Sequence, residues 1–183
     1  MKEIWEYFQV FFLSILPISE VRGAIPYGIV ALKLRALPVF LISLLGNLIV
    51  SFFLIFIWEI LFLFLSSRFK LFKKFFEWLF DKTRKRFSPY YRKWQDIGLC
   101  FFVAIPLPFT GAWTGSLAAF LFGIKRKEAL ISISFGVLIA SILILALTLF
   151  GIELERFFGY KTLSLLILTF IFAWIILKKV VKK

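Results

Sequence analysis

The chain has 183 residues, of which 62% are hydrophobic and 20% aromatic, and its mean hydropathy is +0.97. It carries 23 Lys and Arg against 10 Asp and Glu, with no His and a single cysteine, Cys100. Such a composition is typical of a membrane protein with basic loops. It excludes intrachain disulfides, the usual zinc and haem sites, and catalysis by Ser-His-Asp or Cys-His groups.

The first apolar segment, residues 5–16, is shorter than the roughly 20 residues needed to span a bilayer. It breaks at Pro17, and a second short segment beginning near Gly23 carries Pro26 and Gly28. We therefore predict a re-entrant hairpin, in which both segments enter and leave the membrane on one face. One long kinked span is the alternative.

Two ionisable residues, Glu20 and Arg22, lie in this first break. An ionisable group at membrane depth is costly and indicates a functional site by default. Desolvation raises the pKa of a carboxylate and a nearby guanidinium lowers it, so a group poised between them can exchange protons near neutrality. The sequence leaves two roles open. The pair either couples protons and binds substrate, or it only satisfies the exposed backbone of the break.

Residues 37–65 form an apolar run in which we predict a transmembrane helix, and residues 1–65 thus contain the first hairpin and its helix. Gly46 and Asn47 are predicted helix-contact residues, because a small residue permits close approach and Asn47 can hydrogen-bond to a hairpin. Glu59, near the end of the run, is expected to reach the interface or to pair with linker cations.

Residues 66–97 form a basic linker, in which ten Lys and Arg face three Asp and Glu. Apolar residues recur there at steps of three and four: Phe69, Phe72, Phe76, Leu79 and Phe80. This pattern predicts an amphipathic helix lying on the anionic headgroups of the bilayer. Because headgroup binding already explains the mixture of aromatic and basic residues, we expect no nucleic-acid partner.

Residues 98–152 repeat the order of the first half. An apolar segment ends near Ala104, residues 106–115 break the run, and residues 129–150 are a second predicted transmembrane helix. Gly136 and the five residues after it nearly repeat Gly46 and its successors, which favours an internal repeat. Paired breaks of this kind mark transporter binding sites at the membrane midplane. The predicted break residues are Pro17, Gly23, Pro26, Gly28, Pro106, Pro108, Gly111 and Gly115.

The second break offers further candidate site residues. Thr110 and Thr114 supply hydroxyls and Trp113 a flat apolar wall, so that the predicted proton-coupling or substrate residues are Glu20, Arg22, Thr110, Trp113 and Thr114. Backbone capping and helix packing are the alternatives for the last three. Gly136, like Gly46, is expected to permit helix contact. We expect no catalytic residue and no metal site.

Residues 153–183 contain a third predicted span, residues 163–177, and a basic tail. The linker, residues 125–128 and the tail together carry the whole net charge of +13. With three spans, all of them lie on the cytoplasmic side, as the positive-inside rule requires. The first hairpin then enters from outside and the second from the cytoplasm, which makes the two halves an inverted pair.

The chain resembles the small multidrug export protein family in two strings, Pro17-Ile18-Ser19-Glu20-Val21-Arg22-Gly23-Ala24-Ile25-Pro26 and Ile105-Pro106-Leu107-Pro108-Phe109-Thr110-Gly111. That family is distantly similar to DedA/VTT membrane proteins, which pair two re-entrant hairpins with transmembrane helices. The resemblance implies proton-dependent transport or lipid flipping, with Glu20 as the acidic hairpin residue. DedA-type proteins also carry basic residues in the second hairpin region, whereas this chain has Arg22 in the first.

We therefore expect a single all-α integral membrane domain with inverted hairpin repeats, in a multi-pass homo-oligomer of the prokaryotic inner membrane. Its expected function is proton-coupled transport of a small amphiphilic or anionic solute, without a cofactor or an enzymatic reaction. The alternatives are a flippase or scramblase for polyprenyl-phosphate or phospholipid, and a non-transporting membrane scaffold. The expected partners are anionic headgroups and a small-molecule or lipid substrate.

Overall fold

The computed structural model describes residues 2–85, 94–107 and 110–158. This described part of the chain consists of helices and their connections and contains no strand. The chain divides into two compact units, Met1–Leu145 and Ala146–Lys183. The first unit contains both breaks. In the second, the described residues 146–158 are helical, and Arg156 Nη1 lies 3.8 Å from Glu153 Oε1.

The first break separates two short helices. Helix α1, Lys2–Ile15, ends ahead of Pro17, because a proline disfavours helical geometry in the residue before it. Helix α2, Glu20–Pro26, leads directly into a π-helical turn, Tyr27–Ala31. Pro26 stands at the junction, where its missing N–H interrupts the α-helical hydrogen bonding.

Three of the residues predicted to lie in the first break instead lie in helical turns. The break is confined to residues 16–19, whereas Gly23 and Pro26 belong to α2 and Gly28 to the π-helical turn. The small size of Gly28 serves packing, because a Cβ there would lie 2.7 Å from Val39 and 2.9 Å from Val10. Gly28 therefore marks a close packing contact and Pro26 a change of helix type. Neither residue lies in the break between the two helices.

Helix α3, Ala36–Arg68, extends beyond both ends of the predicted span. Its 33 residues correspond to about 50 Å, more than the roughly 30 Å of hydrocarbon in a bilayer. Helix α4, Lys70–Lys85, follows the extended residue Phe69 and provides the predicted linker helix. It packs on α3, where the Phe76 and Phe62 rings are 5.7 Å apart.

The second half contains helices α5, Gln95–Ala104, and α6, Ala112–Phe122, followed by α7, Arg126–Phe158. Gly115, another predicted break residue, lies within α6, where a Cβ would come within 2.5 Å of a Val103 methyl on α5. Helix α6 ends at Gly123, whose φ of 70° is the left-handed conformation that glycine adopts readily.

Several predicted features lie outside the described residues. These are Pro108, the third predicted span at residues 163–177, and the basic tail.

Two helices, Ala36–Arg68 and Arg126–Arg156, are long and apolar enough to cross a membrane. Both expose large apolar side chains along their length, among them Leu41, Leu45 and Phe52 on α3 and Phe135, Ile139 and Ile142 on α7. Exposed apolar surface on this scale is typical of contact with lipid or with another membrane helix. The described part of the chain is therefore an all-helical fold with two helices that could cross a membrane.

The long helices α3 and α7 share a burial pattern. Residues 41–50 and 131–140, ninety positions apart, have the same degree of exposure at nine of ten positions. Gly46 lies against α1, where a Cβ would overlap a side chain, and Gly136 lies against α5, where a Cβ would be 2.7 Å from one. Each long helix thus holds the first short helix of its own half at the corresponding position.

One buried cluster joins the two halves around the breaks. It contains Val21 and Ile25 of α2, Val103 of α5, and Ile133 and Val137 of α7. These side chains place the beginning of α2 against the end of α5, and hence the first break against the second.

Candidate functional site

Glu20 is the first residue of α2 and has a buried side chain. It is 4% exposed, and its backbone is held by a 3.0 Å hydrogen bond from its N–H to Leu16 O. Its φ of 47° lies in the left-handed region, which is uncommon for a residue with a side chain. Strained backbone of this kind persists where the surrounding structure imposes it, and it is enriched at functional sites.

The Glu20 carboxylate lies on the N-terminus of α6, the helix that follows the second break. Trp113 N donates to Glu20 Oε1 over 3.3 Å. Gly111 leaves the space for this contact, because a Cβ there would lie 2.5 Å from Glu20 Cδ. A negative charge is favoured at a helix N-terminus, where unpaired N–H groups and the helix dipole converge. Glu20 therefore caps a helix that begins more than ninety residues later.

Arg22 makes the complementary contact with the helix that precedes the second break. Its Nη2 lies 3.1 Å from Ile105 O, 3.4 Å from Val103 O and 3.1 Å from Thr110 Oγ1, and its Nη1 lies 3.6 Å from Glu20 Oε2. A cation is favoured beside the free carbonyls at a helix C-terminus, here that of α5. The Glu20–Arg22 pair at the beginning of α2 thus contacts the backbone at both ends of the second break, although the sequence placed both residues within the first break.

The contact is reciprocal, because residues outside the first break satisfy the C-terminus of α1. Trp113 Nε1 donates to Ile15 O over 3.0 Å, and Asn47 Nδ2 donates to Ser14 O over 3.2 Å. These two carbonyls are among the last four of α1, which have no partner within the helix. Each break is completed by side chains from elsewhere in the fold.

The two threonines of the predicted site make backbone contacts of their own. Thr110 Oγ1 lies 2.7 Å from Ile105 O and 2.9 Å from Leu107 O, and Thr114 Oγ1 accepts from Gly111 N over 3.0 Å. These contacts are the backbone capping that the sequence offered as the alternative for both residues. Thr110 also touches Arg22, whereas Thr114 lies within the first turn of α6.

The structure therefore brings Glu20, Arg22, Thr110 and Trp113 together at one point. The helix-contact residues Gly46, Asn47 and Gly136 lie outside it, at the contacts of α3 with α1 and of α7 with α5. Within the described residues no group of three or more His, Cys, Asp or Glu could hold a metal ion. The Glu20 carboxyl group of this arrangement can bind and release a proton. Its charge can then determine how strongly the two helix breaks are held together.

A second charged site was not predicted. Glu59 of α3 forms an ion pair with Arg126 of α7, and the Arg126 guanidinium lies 5.4 Å from the centroid of the Phe56 ring. The sequence suggested linker cations as partners of Glu59. It gave a weak signal for this pair, since Glu59 is the one acid in an apolar run and Arg126 lies in a basic cluster, but their proximity depends on the fold.

These observations define a class: a helical membrane protein with a buried charged site between two helix breaks. A family model described as "Putative small multi-drug export protein" matches residues 20–143, more than half of the chain, and the chain belongs to that family. The match begins at Glu20, directly after the first break, and includes the second break. No curated protein and no solved structure matches the chain significantly. The family and the two long apolar helices together indicate a membrane transporter.

Proposed function

We propose that the protein is a proton-coupled transporter of a small amphiphilic or anionic solute, and that Glu20 is the group that takes up the proton. The observation that carries this proposal is the placement of Glu20. It is the one buried acidic side chain among the described residues, and it contacts the helix that follows the second break while belonging to the helix that follows the first. An ionisable group in such a position is rarely tolerated without a function.

The proposed coupling follows from the contacts of Glu20. When it is charged, the carboxylate attracts Arg22 and accepts a charge-assisted hydrogen bond from Trp113 N. When it is protonated, it loses both the attraction and the favourable interaction with the α6 dipole. The contact between the two breaks is then weaker. A proton that binds from one side of the membrane and leaves to the other can thereby shift the population between two arrangements of the breaks.

We propose further that the two breaks are the tips of re-entrant hairpins in inverted repeats. The shared burial pattern of α3 and α7 supports the repeat, as do the corresponding contacts of Gly46 and Gly136. The placement of all the net positive charge in three segments supports a cytoplasmic linker and C-terminus. The proposed setting is a multi-pass homo-oligomer in the inner membrane of a prokaryote.

The exposed side of α4 supports contact with anionic headgroups. Leu71, Phe75 and Trp78 are exposed apolar residues at steps of four and three, and Lys73 and Lys74 lie exposed between them. In nanodiscs, an environment-sensitive dye at Phe75→Cys should report an apolar setting with anionic lipid that high salt reverses. The same signal in purely zwitterionic lipid would contradict an electrostatic role.

The test of coupling uses proteoliposomes with an imposed pH gradient. Three phenyl-bearing solutes of different charge serve as probes: 2-phenylethanesulfonate, phenethyltrimethylammonium and phenylalanine. In the wild type, we expect the gradient to drive accumulation of at least one of them. Glu20→Gln keeps the shape of the side chain but cannot exchange a proton, and we expect it to abolish the gradient-driven part. Glu153→Gln, which neutralises an exposed acid, is the matched control and should transport like the wild type.

A folded Glu20→Gln protein with wild-type gradient-driven transport would end the coupling proposal. A fluorescent phospholipid in the same vesicles tests the lipid alternatives. Flipping without a gradient, and no accumulation of the three solutes, would assign a scramblase instead. If the protein neither flips the lipid nor accumulates the solutes, the result would favour the non-transporting membrane scaffold.

A further inference from the structure

A cavity with charged and apolar lining residues lies apart from the Glu20 site. It has a volume of about 600 Å³ and is bounded by α3, α4, α6 and the beginning of α7. Cavities of roughly 300–1,000 Å³ suit small-molecule ligands. All of its lining residues lie in the first compact unit.

The acidic and the basic residues of this cavity come from different helices. The acids Glu59 and Glu77 come from α3 and α4, and the cations Lys125 and Arg126 are the residue before α7 and its first residue. The rest of the lining is mostly apolar and includes Phe62 of α3 and Phe120 of α6, whose ring centroids are 5.7 Å apart. A cavity that offers acids, cations and aromatic rings matches a ligand that carries a cation, an anion and an apolar body.

The two charged walls meet at the Glu59–Arg126 ion pair. The side chains are 44% and 55% exposed, so the pair is open to water and its contribution to stability is small. A ligand can therefore separate the two groups. A simple cation bound to Glu59 would leave Arg126 without its ion-pair partner. A simple anion bound to Arg126 would leave Glu59 without its partner. A zwitterion compensates both charges at once.

The cavity is connected with the Glu20 site through one turn of α6. Ser116 lines the cavity, and its Oγ accepts from Trp58 Nε1 over 2.9 Å and donates to Trp113 O over 2.8 Å. The N–H of the same residue, Trp113, donates to Glu20. A ligand that shifts Ser116 therefore acts on the turn of the helix that Glu20 caps.

We infer that this cavity binds a small zwitterionic molecule with an apolar body, such as a hydrophobic amino acid. The ligand ammonium replaces Arg126 at Glu59, the ligand carboxylate replaces Glu59 at Arg126, and the apolar body lies against Phe62 and Phe120. The inference names the substrate class of the transporter proposed above and rests on that proposal for its place in transport. Binding itself does not depend on proton coupling.

The test is equilibrium binding to the full-length protein in nanodiscs. The probes are radiolabelled L-phenylalanine, phenethyltrimethylammonium and 2-phenylethanesulfonate, which share a phenyl group and differ in charge. In the wild type, phenylalanine should bind at least tenfold more tightly than either ion. Lys127→Gln, which neutralises a neighbouring exposed cation that does not line the cavity, should leave this order unchanged.

The single-charge variants should switch selectivity, which a merely structural ion pair would not do. Glu59→Gln should weaken phenylalanine binding at least tenfold and make the sulfonate the preferred probe. Arg126→Gln should weaken it equally and make the quaternary ammonium preferred. If these variants fail to fold, the exchanged pair Glu59→Arg with Arg126→Glu keeps the ion pair and should keep phenylalanine binding.

Wild-type protein that prefers either simple ion, binds all three probes equally, or binds none of them would overturn the inference. So would an unchanged order of preference in both single variants. Failure of proton coupling gives a different result. If the wild-type protein binds phenylalanine with the expected selectivity while a pH gradient drives no accumulation of it, the coupling proposal fails and the cavity assignment stands.

Discussion

Replacing Arg22 by alanine tests whether the two breaks are held together electrostatically. The Arg22 side chain is 17% exposed, and its Nη atoms contact Glu20, Thr110 and two carbonyls at the end of α5. The alanine variant leaves the Glu20 carboxylate buried without a cation. Removing one partner of a buried ion pair costs about 3–5 kcal/mol, and we expect a loss of unfolding free energy of this size. The loss should shrink as the pH falls, because protonation of Glu20 removes the uncompensated charge.

The measurement is the unfolding free energy in dodecyl maltoside micelles with increasing dodecyl sulfate, followed by tryptophan fluorescence. Arg35→Ala, which removes an exposed arginine, is the control and should stay within about 0.5 kcal/mol of the wild type. Adding Glu20→Gln to Arg22→Ala should recover part of the loss, since the two residues interact directly. An Arg22→Ala protein as stable as the wild type, or one with the same deficit at acid pH, would refute the electrostatic account.

Three further predictions concern topology, helix contact and pH. In a cysteine-free background, a cysteine at Lys82 should react only with reagent on the cytoplasmic side and one at Glu155 only from outside; reaction from one common side would refute the proposed topology. Gly136→Ala should lower the unfolding free energy by about 1–3 kcal/mol, because its Cβ would press on α5. Gly98→Ala, with open space around it, should be neutral, and equal effects would contradict the packing argument. Burial and a neighbouring carboxylate raise the pKa of Asp96, so its charged form disfavours folding at neutral pH. Asp96→Asn should therefore be the more stable protein at neutral pH and lose this advantage on acidification, as pH-dependent unfolding would show.

The long helices and the positions of the breaks follow from local features of the sequence. Continuous apolar runs specify α3 and α7, and Pro17 and Pro106 end the short helices because proline affects the residues next to it. The helices extend beyond the predicted spans because helical hydrogen bonding continues into residues that are not apolar. Arg68 still belongs to α3, although a window of hydrophobic residues ends before it.

The partners of the charged residues could not be predicted in the same way. The sequence offered satisfaction of exposed backbone as one role of Glu20 and Arg22, but it pointed to the backbone of their own break. The structure places them on the ends of α5 and α6 instead. Such contacts depend on how two distant segments pack, which is a property of the tertiary fold. The ion pair of Glu59 with Arg126 could not be predicted for the same reason.

The reciprocal completion of the two breaks has a consequence for biogenesis. The C-terminus of α1 receives a hydrogen bond from Trp113, and Arg22 reaches its carbonyl partners only at Val103 and Ile105. At a synthesis rate of about 5–20 residues per second, the first half of the chain waits roughly 5–20 s for these partners to be made. Throughout that interval its polar groups need water or an insertion factor. The first break is therefore expected to reach its final structure only after the second break has been synthesised.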